Sequence, residues 1–309
     1  MSAIISKQSL GIVATPIVTQ VIKGLYEQRA NEWKAFMEEK EGDKYEFHQI
    51  VTLHGFGSAP MRSEGESFAF DQAGLSYSTQ IPYALYGLGF GMTQESIDDT
   101  RLNVDTMAVF GEHLAQSIIE TEEINAANLL NNGFNSRFTQ TGGDGQPLFS
   151  ANHPSFGGAP SVSNIAVTPS ILSQTSLEQM LIQNGKQKDA RGKFIRLTPK
   201  NLVVPPELGF QAQVILESVL RSDTTNNAKN VLNGYFTEGR KIVTRLTSPT
   251  AWFINNQGFR DTGVMRLKRG DVKVTKEGDF MTDVMRVKAG VRQGYGWGDF
   301  RCIMGNSGV

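Results

Sequence analysis

The chain holds a single cysteine, Cys302, so no disulfide can form within it and zinc sites built on cysteine pairs are excluded. No apolar run is long enough to span a bilayer, and residues 1–20 lack a charged start, a sustained apolar region and a small-residue cleavage site. The four histidines, His48, His54, His113 and His153, include no His-x-x-x-His pair, which removes the zinc-protease type of metal site. No nucleophile elbow, P-loop or kinase signature occurs. Asp98-Asp99 and Glu122-Glu123 are adjacent carboxylates, which point apart on a helix, whereas glycoside hydrolysis needs them facing. Glycines 87, 89 and 91 precede a helical stretch, but the third glycine of a dinucleotide-binding turn would have to stand where Met92 is. Gly142-Gly-Asp-Gly145 supplies one carboxylate, too few for calcium. The sequence therefore names no catalytic residue, no metal and no cofactor.

Lysine is also absent over a long stretch, with none between Lys44 and Lys186. Residues 1–44 carry six basic and six acidic groups, residues 45–185 three arginines against fourteen acids, and residues 186–309 twenty-one basic against eleven acidic. The middle is thus about −11 and the last part about +10, although the whole is near neutral. Either the two parts neutralise each other within one fold, or oppositely charged surfaces of neighbouring copies meet. Basic residues in 186–200 and 266–276 alternate with apolar ones and fit no nucleic-acid motif, leaving weak phosphate contact as the most they imply.

What the chain does have is a long helical signal. Thr93 is a candidate N-cap, with Glu95, Asp98 and Asp99 in the following turn, where the helix dipole favours negative charge. Leu102, Met107, Phe110, Leu114 and Ile118 recur at helical spacing, with a second row at Ala108, Ala115, Ile119 and Ala126, before the stop at Asn131-Asn132-Gly133. A helix over 102–132 would run about 45 Å, a strut for whatever packs on it.

Around the strut the pattern changes several times. Residues 1–14 read as an arm, and Thr15 with Pro16 opens an amphipathic helix through Met37 that ends in the charged run 38–44. Its apolar stripe needs a partner distant in the chain or on another copy. Residues 46–91 read as a long β-hairpin or extended loop, followed at 83–91 by a strand entering the helix. Residues 135–165 form a structured connection rich in Gly, Ser, Asn and Pro. A helix opening at Thr168-Pro169 and stopping at Gly185, strands at 194–197 and 201–204, and a helix over 207–220 suggest an α/β subdomain. Segments 264–268, 271–275, 280–288 and 297–304 alternate apolar with charged residues, the period of half-buried antiparallel strands, and the strut is the helix available to cover them.

Three local patterns accompany this order: Phe90-Gly-Met-Thr-Gln-Glu-Ser-Ile-Asp-Asp99, Pro147-Leu-Phe-Ser-Ala-Asn-His-Pro154 and Leu202-Val-Val-Pro-Pro-Glu-Leu208. Together they resemble the major capsid proteins of tailed phages with the Hong Kong ninety-seven fold, most of all the Mu-like major head subunits. The resemblance implies an α+β fold with an N-terminal arm at 1–45, an extended loop at 46–91, a peripheral domain at 92–160 and 256–309, and an axial domain at 161–255. It implies a structural protein, not an enzyme, that forms pentamers and hexamers of itself and closes an icosahedral shell around double-stranded DNA. The expected partners are a separate scaffolding protein, because a long charged helical leader is missing, a portal, an optional decoration protein and non-specifically contacted DNA, with no membrane. The expected location is the virion, assembled in the bacterial cytoplasm. Some relatives weld neighbouring subunits through a lysine on the extended loop, but residues 46–91 contain none. Noncovalent contacts between subunits are therefore expected from Arg62, Glu64, Glu66, Phe68 and Asp71, with Lys268 and Arg269 on the basic side. The alternative is a solitary α/β ligand-binding protein.

Overall fold

The computed structural model describes residues 24, 31–93, 95–96, 103–135, 142–156, 159–220, 229–259, 261–279 and 281–308, with 103–108 described by backbone alone. Residues 1–14, most of the helix from Thr15, Leu102, Asp98 and Asp99, and the side chains of Met107 and Ala108 lie outside what is described. Thr93 does accept a hydrogen bond from the Ser96 amide at 3.3 Å, the geometry of an N-cap.

The strut is present as α1 (Asn103–Asn131), 29 residues and so about 43 Å long. Two sheets pack on it at different levels. The first contains β1 (Glu38–Glu41), β8 (Val264–Lys268), β10 (Val284–Trp297) and β4 (Ala84–Thr93) in that order, with β9 (Lys273–Asp279) also paired to β10. Alternate residues of β10, namely Val287, Ala289 and Val291, pack under Leu114, Ala115 and Ile118 of α1. The second sheet is β11 (Ile303–Asn306), β7 (Trp252–Asn256), β5 (Pro199–Val204) and β6 (Arg240–Ile242). One of its faces, carrying Val203, Phe253 and Ile303, meets the far half of α1 at Ala126, Ala127, Leu129 and Leu130. Its other face, carrying Leu202, Val204, Ile254 and Met304, is covered by α2 (Gln174–Gly185) and α3 (Gly209–Glu217).

The helix ends where expected, for a packing reason. A Cβ at Gly133 would lie 2.6 Å from the Phe149 ring, and the Phe149 amide donates to the Gly133 carbonyl at 2.8 Å. The Pro147–Pro154 segment is thereby hooked onto the helix terminus. His153, fully buried, then ties this segment to the rest. Its Nδ1 lies 2.6 Å from the Asp144 carboxylate, its Nε2 lies 3.1 Å from Asn164 Oδ1, and its ring stacks on Phe300 at 3.6 Å.

Several sequence expectations are corrected. The charged run after Met37 is not the end of a helix: Glu38–Glu41 is β1, parallel to β8, and within the described residues 31–37 Glu32–Ala35 makes a short 3-10 turn. Trp33, Phe36 and Met37 are buried in the core beside α1, so this end of the stripe finds its partner within the chain. The helix expected from Thr168 starts six residues later, at Gln174, because Ser173 and Ser176 form a reciprocal cap there. Residues 194–197 are not a strand, since the turn closed by Asp189 leaves Phe194 exposed and bridged only to Lys188. The helix expected over 207–220 is a 3-10 turn followed by the shorter α3. The segment 297–304 breaks at a 3-10 turn, Phe300–Cys302, and its last strand crosses to the second sheet.

Two buried glutamates fasten these layers. Glu122 Oε1 meets Arg266 Nη2 at 2.9 Å and accepts from Gln293 Nε2, while the Arg266 guanidinium, 1% exposed as a residue, lies over the Trp33 ring at 4.8 Å. Glu123 accepts from the Glu32 and Trp33 amides at 3.0 and 3.1 Å. Removing one partner of such a buried pair leaves the other charged and unsatisfied, so Arg266→Ala is expected to lower unfolding free energy by ~3–5 kcal/mol in urea titrations. Burial pushes the Glu123 carboxyl above its ordinary range, against the two amides that favour its charge. Folded protein therefore takes up this proton more readily than unfolded chain, and the stability it contributes is present at low pH and lost as pH rises. The stability advantage of wild type over Glu123→Gln should accordingly grow as pH is lowered toward the unshifted value of 4.5, as followed by unfolding at a series of pH values.

Candidate assembly surfaces

The hairpin expected in 46–91 is built from β2 (Phe47–His54) and β3 (Gly74–Pro82), antiparallel with a bulge between Val51 and Leu53. The end of that stretch, from residue 84, belongs to β4, which is hydrogen-bonded to β10 from Thr93 to Ala84. Its glycines are strand glycines: a Cβ at Gly89 would lie 2.8 Å from the Val287 carbonyl oxygen. Between β2 and β3, residues 55–73 carry no strand, and every residue from 58 to 70 is exposed. Met61 and Phe70 are each 97% exposed and Phe68 is 72% exposed. This is a finger.

Arg62, Glu64, Glu66 and Phe68 are brought together at its tip. The Arg62 guanidinium lies 4.3 Å over the Phe68 ring, and Glu66 accepts from the Ser63 amide at 2.9 Å, closing a tight turn in which Gly65 has φ +85°. Asp71 stands apart from them, at the root of the finger, bonded to Arg191 at 2.6 Å and to the Gly57 amide at 2.7 Å. Lys268 and Arg269 lie elsewhere, at the end of β8. Lys268 meets Asp271 at 2.7 Å, and Arg269 donates to the Lys44 carbonyl at 2.5 Å and sits over the Tyr83 ring. The structure thus groups four of the seven expected contact residues and separates the other three.

The charge imbalance is settled in part within the chain. Arg191 pairs with Asp71, Arg245 with Glu120 and Glu32, and Arg266 with Glu122, each joining the basic C-terminal part to acidic groups before it. On β10, Arg286 and Lys288 stand on the face turned away from α1, opposite Gly91 and Gly89 of β4.

A second exposed apolar set lies around α3, where Phe210, Val214, Val219, Val231 and Tyr235 face outward. Sequence reasoning singled out none of these residues. It also missed the buried state of Glu122, Glu123 and His153, for which a polar residue inside an apolar row was the available signal. A groove of about 590 Å³ runs beside α2, lined by Val167, Ile182, Gln183, Gln187 and Lys188 among others. Among the described residues no group of three or more His, Cys, Asp or Glu is placed to hold a metal, and no helix is long and apolar enough to cross a membrane.

The fold is similar to that of several solved structures. The chain superposes on the capsid of an empty GTA particle with a TM-score of 0.53 at 12% identity, covering 89% of each chain. For a virus-like particle from Pyrococcus furiosus the TM-score is 0.51 at 12% identity, covering 94% of this chain and 98% of that one. For the capsid of Cyanophage P-SCSP1u it is 0.53 at 10% identity, covering 88% and 86%. At such identities the likeness is one of fold. No curated protein sequence matches the chain. The family described as Phage capsid protein matches residues 84–304, from the first residue of β4 into β11, and with that match over most of its length the chain belongs to the phage capsid protein family.

Proposed function

We propose that this capsid subunit assembles with copies of itself into pentamers and hexamers that close an icosahedral head around packaged double-stranded DNA. The observation that carries the reading is the finger, which projects the bare side chains of Met61, Phe68 and Phe70 away from the buried cores. Exposed apolar surface of this kind marks a contact with another macromolecule. The second copy is that partner, with Arg62, Glu64, Glu66 and Phe68 lying on a neighbour and Asp71, Lys268 and Arg269 completing the contact set. The outward face of α3 supports a further contact between copies. Individually weak contacts suffice, because a closed symmetric shell repeats each one many times.

The three sequence patterns around residues 90–99, 147–154 and 202–208 support placement among the Mu-like major head subunits. The same resemblance supports the division into arm, extended loop, peripheral and axial domains at the boundaries given above. It also supports a separate scaffolding protein, a portal, an optional decoration protein and the bacterial cytoplasm as the place of assembly. The finger carries no lysine, which supports a shell held without covalent links between subunits.

Size exclusion and negative-stain microscopy of the purified chain test the reading: pentamers, hexamers, tubes or shells are expected. A stable monomer would favour a solitary binding protein that uses the groove beside α2. Replacing residues 59–69 by a short Gly-Ser turn should abolish assembly while leaving the melting temperature within about 2 °C, because the finger adds nothing to either core. Mature particles boiled and run on a denaturing gel should give one band at the subunit mass, and a ladder of covalent oligomers would refute the noncovalent shell.

A further inference from the structure

The root of the finger is built more tightly than its tip. Asp71, on the returning rail, accepts from the Gly57 amide on the outgoing rail at 2.7 Å and from Arg191 Nη2 at 2.6 and 2.7 Å to its two oxygens. The Gly57 amide and then the Arg191 guanidinium hold the Asp71 carboxyl down to about 2, so the group stays charged throughout the range in which the protein is handled. The two rails come so close that a Cβ at Gly57 would lie 3.3 Å from Asp71 Oδ2 and 3.7 Å from Arg191 Nη2. Arg191 is itself held in place. The Asp189 carboxylate accepts from the Arg191 and Lys193 amides at 2.9 and 2.8 Å, and Gly192 at φ +81° turns the chain between them.

Among the described residues the Arg191–Asp71 ion pair is the one that joins 55–73 to the body of the subunit. Below it, the base of the hairpin rests on the connecting segment: the Tyr77 hydroxyl donates to the Pro154 carbonyl at 2.5 Å, and His54 and Tyr77 pack on the Phe156 ring. Above it, the finger is exposed on all sides.

We propose that Gly57, Asp71 and Arg191 form a clasp that fixes the point and direction at which residues 58–70 leave the subunit, so that the finger meets a second copy at one set angle. The inference rests on the reading that the finger contacts a neighbour. Its physical content is entropic as well as electrostatic. An exposed ion pair between long side chains is weak when both are free, but here one partner sits in a turn already closed by Asp189 and the other accepts a backbone amide. The clasp therefore orders the finger before assembly instead of leaving each contact to do so.

The test has two arms, each comparing wild type with Arg191→Ala and with the exchanged pair Asp71→Arg, Arg191→Asp. In the first, unassembled subunit carries spin labels at Ser58→Cys, beside the clasp, and Thr175→Cys on α2, and the distance distribution between them is measured. A single narrow distribution is expected in wild type, broadened at least about twofold in Arg191→Ala and narrowed in part in the exchanged pair, which restores the ion pair but not the acceptor for the Gly57 amide. Equal widths in wild type and Arg191→Ala overturn the clasp, whatever the protein assembles into. In the second arm, the yield and diameters of assembled particles are compared. Arg191→Ala should lower the yield of uniform particles by at least about threefold, with recovery in the exchanged pair. Unchanged yield and diameter overturn the link between clasp and assembly angle. If wild type forms no assembly, the proposed function fails, while the first arm still decides the clasp.

Discussion

The rest of the structure depends on one helix lying under two cores. The first half of α1 covers β10 through Leu114, Ala115 and Ile118, and the second half covers the other sheet through Ala126, Ala127, Leu129 and Leu130. A helix of ordinary length would reach only one of them. Each of these side chains, fully buried, contributes ~1.5–3 kcal/mol if Leu or Ile and less if Ala, so α1 couples the two sheets far more strongly than surface ion pairs could. The small residues matter in a different way. Ala126 and Ala127 let the second sheet approach the helix backbone closely, and larger side chains there would force the layers apart.

Charge does its work around that frame. The acidic groups that project from α1 are met by arginines from the basic end of the chain: Glu120 by Arg245, and Glu122 by Arg266. Arg266 is also sandwiched against Trp33, so the guanidinium links the N-terminal turn, the helix and β8 in one place. Arginine suits this role because its planar head stacks on a ring while donating sideways to carboxylates, which a lysine ammonium cannot do. Folding thus brings acidic and basic parts of the chain together at these pairs.

The helix, the terminal strands and the projecting hairpin were legible because each has a strong period or a break in composition. Leu114, Ile118 and Leu129 fall on one stripe, and Val287, Ala289 and Val291 alternate cleanly. Boundaries were less legible where side-chain hydrogen bonds decide them. Ser173 and Ser176 start α2 well after the proline that marked a start by propensity, and Asp189 closes a turn where alternation suggested a strand. Glu38–Glu41 was the hardest case. A run of charged residues becomes a strand only because β8 offers it a parallel edge, a fact held in residues more than two hundred positions away. The finger was legible as a feature and partly as a set of residues. Arg62, Glu64, Glu66 and Phe68 share the tip, but the ion pair of Asp71 with Arg191 joins positions 120 apart and no local pattern encodes it.

The asymmetry between the two ends of the hairpin is what a building block of a shell requires. A limb that was soft along its whole length would lose most of its contact energy to ordering, at about 1–2 kcal/mol for each backbone residue fixed. A limb rigid to its tip would tolerate only one spacing between neighbours. Confining order to the root, where β2 and β3 pair and Tyr77 and His54 rest on Phe156, fixes the direction of the finger. Leaving residues 58–70 without strand pairing lets the tip adapt over its last turn. The bulge between Val51 and Leu53 falls just below this change, where the regular pairing of the rails is already interrupted.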